Sequence, residues 1–105
     1  MHIIFGRDVA EELRNRHSVL ELETFQVEDR DPVTAFCVVP AEAIALGEMP
    51  DIERYSRIHQ ALVDAWNRQD YVTVAEGIAH LKGKFGGELD SFYEIIESRI
   101  KDTAQ

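Results

Sequence analysis

Glu76 and His80 stand four residues apart in a stretch of helical periodicity, a spacing that aims a carboxylate and an imidazole at one metal ion. On the helical wheel both lie opposite the stripe of Tyr71, Val74, Ile78 and Phe85, so an exposed i,i+4 pair is the simpler reading. His59 comes level with residue 80 in a helical hairpin centred on Asp70, but it sits about 60° from the middle of its own apolar stripe. That predicts a boundary histidine with a partly covered ring, and no metal or other cofactor is expected. The segment Lys82-Gly83-Lys84-Phe85-Gly86-Gly87-Glu88 combines two lysines with three glycines just before a helix start. Such a turn can wrap backbone N–H groups around a phosphate or carboxylate. Lys82, Lys84, Gly86 and Gly87, with His59 nearby, form the candidate ligand-binding set. The G-x-x-x-x-G-K-[ST] pattern of a nucleotide-binding loop is absent, and Glu88 and Asp90 put negative charge where the anion would lie. On the alternative, structural reading the glycines supply positive φ for a tight reversal, and the lysines complement a helix C-terminus.

Acid chemistry by paired carboxylates needs two of them together, one buried enough to hold its proton. Glu21 and Glu23 lie two apart in an alternating stretch and so share one strand face, while Glu11-Glu12 and Asp29 with Asp31 are neighbouring surface acids. With twenty Asp and Glu in 105 residues such pairs arise by coincidence, and Glu21 and Glu23 are candidates for meeting a partner. Cys37, within Phe36-Cys37-Val38-Val39, reads as a packing residue whose apolar surroundings make the thiol inert. No Ser sits in a G-x-S-x-G turn, and no catalytic set emerges. Trp66 and Tyr71 fall on inward stripes at a helix turn; they become a partner-binding or dimer patch if that face is wider than the sheet can cover.

These residues need elements to position them. Residues 1–5, closed by Gly6, read as a short strand, and Asp8 with Glu11 caps a short helix over 9–17. Residues 18–27 alternate as a second strand, 28–32 form a polar turn, and 33–39 are β-branched and aromatic, which makes a hairpin stopped by Pro40. After a connection over 41–50, Asp51 caps a helix to about residue 69 with Ile52, Tyr55, Ile58, Leu62, Ala65 and Trp66 in one arc. Asp70, or a Thr73–Glu76 capping box one turn later, starts the next helix, whose stripe is Tyr71, Val74, Ala75, Ile78, Leu81, Lys82 and Phe85. Ser91 and Glu94 make a capping box in the first turn of a last helix to about residue 101, with Leu89, Phe92, Tyr93, Ile96 and Ile100 inward. The order β-α-β-β-α-α-α predicts an α+β fold. A small three-stranded sheet, the N-terminal strand plus a hairpin, packs against a helical layer in two layers. One domain over 1–105 is expected, strand-rich over 1–50, helical over 51–101 and frayed over 102–105.

Composition excludes several functions. The chain is 45% hydrophobic and 30% charged, with a formal charge of −9. Such a chain has no basic field to condense on nucleic acid. Residues 1–50 hold four Arg against ten acids, so the acidic excess lies mainly in the strand half. No apolar run approaches the roughly 20 residues of a membrane span. The first eight residues have no charged or long apolar segment typical of a secretory signal, and one cysteine forms no internal disulfide, which together predict a cytoplasmic protein.

The phrases Val19-Leu20-Glu21-Leu22-Glu23-Thr24-Phe25 and Gly83-Lys84-Phe85-Gly86-Gly87-Glu88-Leu89-Asp90-Ser91-Phe92-Tyr93 resemble small uncharacterised proteins of marine tailed phages. The resemblance implies a bacterial host cytoplasm and a protein partner from the host; it carries no activity or site residue. Ala65-Trp66-Asn67-Arg68-Gln69-Asp70-Tyr71, followed by Ala75, is similar to the turn of a tetratricopeptide helix pair, and without a repeat it implies only a helical hairpin. The reading that results is an acidic, non-enzymatic protein-interaction module, with a homodimer or a host protein as partner and mimicry of nucleic-acid charge as its sharper form. The alternative is a small-molecule or phosphate binder, or an enzyme, using the 82–88 loop.

Overall fold

The computed structural model describes residues 2–26, 28–44 and 46–103. Met1 and Val27, which the sequence places at strand ends, Ala45, and the last two residues of the expected tail lie outside the described residues. The elements run β1 (His2–Phe5), α1 (Arg7–Leu13), β2 (Ser18–Phe25), β3 (Val33–Val39), α2 (Ile52–Asn67), α3 (Tyr71–Leu81) and α4 (Asp90–Thr103), with short 3-10 turns over Ala41–Ala43, Leu46–Asp51 and Phe85–Gly87. The strands form one antiparallel sheet in the order β1-β3-β2. The fold is α+β, the N-terminal strand and the hairpin packed against a helical layer.

β3 takes the centre because it is the strand that is apolar on both faces. Ala35, Cys37 and Val39 join Leu20 and Leu22 against the helices, in a core that includes Leu62, Ile78, Phe85, Tyr93 and Ile96. Phe36 and Val38 face the other way, with Val19 and Ala10. A central strand covered on both sides reads as a continuous apolar run, as residues 33–39 do. The short α1 supplies that second cover, so the sheet lies between a thin helical layer and a thick one, where the sequence predicts two layers. The cap of α1 also differs. Gly6, at φ 98, is the N-cap and Asp8 lies inside the first turn, because only glycine turns β1 back over the sheet so sharply. The helix stops at Leu13, since Arg14-Asn15-Arg16 offers nothing to bury.

A bulge in β2 decides where its acids go. Glu21 pairs with Phe36 but Thr24 pairs with Thr34, so β2 spends three steps where β3 spends two. The extra residue reverses the alternation beyond it. Phe25, opposite Val33, therefore lies on the helix-side face with Leu22, not across from it.

In the helical half, Asp70 accepts from Thr73 N–H at 3.3 Å and from the Thr73 hydroxyl at 2.6 Å, which fixes the earlier of the two possible starts for α3. Gly77, not Ala75, faces α2: a Cβ there would stand 3.0 Å from Leu62 Cδ1, while Ala75 is exposed. Lys82 is extended (ψ 129) and exposed, so it leaves the stripe the sequence gave it. α4 begins with Tyr93 N–H donating to Leu89 O and continues to Thr103, past the expected end. Among the described residues no helix is long and apolar enough to cross a membrane.

Candidate functional site

His59 is not a boundary residue. Its side chain is 1% exposed, between Phe85, Phe92 and Tyr93. The wheel misplaces it because α2 is covered on two sides, by the sheet and by α4, so its buried arc is wider than one stripe. Nε2 lies 2.5 Å from the Glu21 carbonyl oxygen, which can only accept, so Nε2 carries the proton. Nδ1 then accepts from the Tyr93 hydroxyl at 2.9 Å. Burial holds this imidazole neutral, its pKa pushed down to about 4, and holds the Tyr93 phenol protonated far above its usual range. One helix–strand and one helix–helix polar contact are thereby satisfied, and no ring nitrogen is left to meet a ligand.

The 82–88 loop is filled from within. Asp90 Oδ1 accepts from Gly83 N–H at 2.8 Å, so a carboxylate of the protein occupies the position expected for an anion. The Lys82 ammonium lies 2.8 Å from Glu97 Oε1. Gly86 (φ 65) lies so close to Ala43 that an added Cβ would stand 2.1 Å from the Ala43 carbonyl oxygen, and Gly87 (φ 77) completes the reversal. Lys84 goes elsewhere: its Nζ lies 5.4 Å from the centre of the Tyr55 ring, and the Arg54 guanidinium lies 5.3 Å from the same ring. A shallow groove of about 440 Å³, lined by Arg54, Tyr55, Ile58, Ala79, His80, Lys82 and Lys84, has no carboxylate among the described residues of its wall. Two of its cations already meet carboxylates outside the wall, Lys82 that of Glu97 and Arg54 that of Asp51 at 3.5 Å.

The bulge separates the two strand acids. Glu21 Oε1 lies 3.7 Å from Arg7 of α1, and Glu23 Oε1 lies 2.8 Å from Arg99 of α4, on opposite faces of the sheet. The shared face read from the alternation is therefore absent, and with it a carboxylate pair. Trp66 and Tyr71 are half-buried and their rings contact each other at 5.6 Å. Glu76 and His80 are exposed, and no cluster of metal-ligating side chains exists among the described residues. Cys37 is fully buried, and desolvation pushes its thiol up to about 11, which removes the thiolate at neutral pH.

The helices cover β2 and leave the β1 side of the sheet open. Ile3 and Phe5 pair with Cys37 and Ala35, so they face the helical layer, yet they remain 46% and 59% exposed. Ile95 on α4, 50% exposed, and Phe25, 45% exposed, stand beside them. Together with Leu22, Ala35 and Phe92 they line a groove of about 160 Å³ in which, among the described residues, Glu23 is the sole polar side chain. No family model, curated protein or solved structure matches this chain. The functional reading therefore rests on the geometry of this groove. Sequence reasoning passes over it because exposure here depends on β1 being the edge. The available signal was a strand of residues 2–5 with no Asp, Glu, Lys, Arg or Pro to blunt an edge.

Proposed function

We propose that the protein is a non-enzymatic interaction module that binds an extended polypeptide strand along β1, with side chains of that strand seated in the groove between β1 and α4. The observation that carries this is the contiguity of Ile3, Phe5, Phe25 and Ile95 beside an unblunted sheet edge. Strand addition supplies backbone hydrogen bonds, and the apolar groove supplies the pocket for alternate side chains. A formal charge of −9 keeps the rest of the surface soluble and steers encounters toward basic partners. The bacterial cytoplasm implied by the phage resemblance supplies host proteins as candidate partners. Phe5→Lys tests the reading, since Phe5 is exposed enough to be replaced without disturbing the core. Tagged wild type is expected to retain a stoichiometric protein from bacterial lysate also containing the untagged chain, at low and at high salt, and the variant to lose it. Identical retained proteins for both would remove the groove from the function.

A second reading is supported by the basic groove, where Arg54 and Lys84 converge on one aromatic ring. Arg54 already meets Asp51 at 3.5 Å, so it is the Lys84 ammonium beside it that favours a further anion there. Titration with inorganic phosphate is expected to shift the amide resonances of Tyr55 and Lys84 saturably in wild type and not in Lys84→Ala. Linear shifts in both would dismiss it.

A further inference from the structure

The occupant of the β1 edge can be read from the hydrogen-bond phase of the strand, given the interaction reading above, on which this step rests. Gly6 N–H donates to Thr34 O at 3.0 Å, and the register runs from Phe5 opposite Ala35 to His2 opposite Val38. Bonded and non-bonded pairs alternate along an antiparallel ladder, so His2, Ile4 and Gly6 direct their backbone groups to β3. Ile3 and Phe5 direct theirs to the open edge.

We infer that the chain forms a two-fold dimer in which β1 pairs antiparallel with β1 of a second copy, Ile4 lying on the axis, to give one continuous six-stranded sheet. This register sets Ile3 opposite Phe5 of the partner subunit, and Phe5 opposite Ile3 of the partner subunit. The outward N–H and C=O groups of both residues are then satisfied by those of their counterparts, which makes the strand complementary to itself. On the helix-side face the larger exposed side chain meets the smaller one twice, and Ile95 from each α4 borders the joined groove. Other axes serve the strand less well. An axis at Ile3 leaves Phe5 with no described residue opposite it, and an axis at Phe5 sets Ile3 opposite Arg7, where α1 begins.

Charge permits this contact although each copy is acidic. Residues 2–6 carry no acid, and Glu23, the groove's carboxylate, is held by Arg99. The exposures of Ile3, Phe5 and Ile95 amount to about 300 Å² per copy, so these residues bury roughly 600 Å² in the pair, the size of a weak, transient contact. The dimer is therefore reversible and concentration-dependent.

Sedimentation equilibrium from roughly 1 to 300 µM spans the dissociation range expected for an interface of that size. The wild-type mass is expected to double across it and that of Phe5→Lys to stay monomeric. The register is read by cysteine cross-linking. At the axis the Cα atoms of a non-hydrogen-bonded pair stand about 4.5 Å apart, within disulfide range. In a Cys37→Ala background, which removes the thiol opposite residue 3 on β3, Ile4→Cys is expected to oxidise to a covalent dimer, and Ile3→Cys alone is not, since its opposite number in the partner subunit is Phe5. A monomer at every concentration with no Ile4→Cys cross-link overturns the dimer, and a cross-link formed by Ile3→Cys instead overturns this register. If the wild type stays monomeric while a foreign protein is retained in a Phe5-dependent way, the dimer fails and the interaction reading stands. If no Phe5-dependent association of either kind is seen, both fail.

Discussion

His59→Phe is expected to cost about 2–3 kcal/mol at neutral pH, because Phe fills the space of the ring but leaves the Tyr93 hydroxyl and the Glu21 carbonyl buried without partners. For a domain of this size that lowers the melting temperature by roughly 10 °C. Tyr93→Phe alone strands only Nδ1, and in the His59→Phe background it removes the orphaned hydroxyl. The double variant is therefore expected to be about 1 kcal/mol more stable than the sum of the two single losses. The pH dependence gives an independent reading. In the unfolded chain His59 titrates near its ordinary value of 6.5, while in the fold its pKa is about 4. Between these values the unfolded chain binds a proton that the folded chain refuses, so stability falls as the pH drops through that window and is complete above it. The loss is about 3 kcal/mol, and the variant lacks it. Urea denaturation at several pH values should show the gap between wild type and His59→Phe closing from neutral pH toward pH 4. Two curves that run parallel throughout would mean that His59 is not buried neutral.

Gly86→Ala is expected to cost about 4 kcal/mol or more, most of the stability of a domain at the low end of the ordinary range of about 5–15 kcal/mol. The left-handed φ of 65 carries about 1–2 kcal/mol for a residue with a Cβ. The remainder is steric, since a Cβ 2.1 Å from a backbone oxygen forces the 85–87 turn away from Ala43. Gly83→Ala is the internal comparison: its φ of 86 is also positive, but nothing lies within 4 Å of the added atom. It should lose only about 1–2 kcal/mol. Thermal denaturation of both variants separates conformational strain from contact, and equal shifts would remove the close approach at Gly86.

Elements with long periods were legible in the sequence, and features set by a single residue or by strand order were not. α2, α3 and α4 each show an apolar stripe over three or more turns, and β3 is apolar on both faces, so the β-α-β-β-α-α-α order follows from pattern alone. The bulge at Leu22 and Glu23 leaves no trace in an alternating stretch, because one inserted residue changes which face is meant without changing the composition. This is why Glu21 and Glu23 read as neighbours and lie apart. The Gly/Lys segment was visible as a turn rich in N–H donors, and Asp90, which fills it, was visible as negative charge at the anion's position. His59 shows the limit of a one-face wheel when two layers press on one helix. The β1 groove is the clearest case: Ile3 and Phe5 look like core until the sheet order makes their strand the outer one.

β1 also joins the sheet across a long stretch of chain. The β2–β3 ladder is closed locally by a turn that fixes its register, whereas Phe5 must find Ala35 and His2 must find Val38 with no turn to align them. Closing such a loop costs entropy that a four-residue strand repays with few contacts. Local pairs form early and distant ones late, so β1 docks after the hairpin has presented its edge. By the same reasoning it opens first under native conditions, and its amides exchange with solvent before those buried between β2 and β3. Until β1 arrives, the β3 edge that it covers is open to a β1 segment from any nearby copy, which makes strand exchange the natural misfolding hazard of this topology.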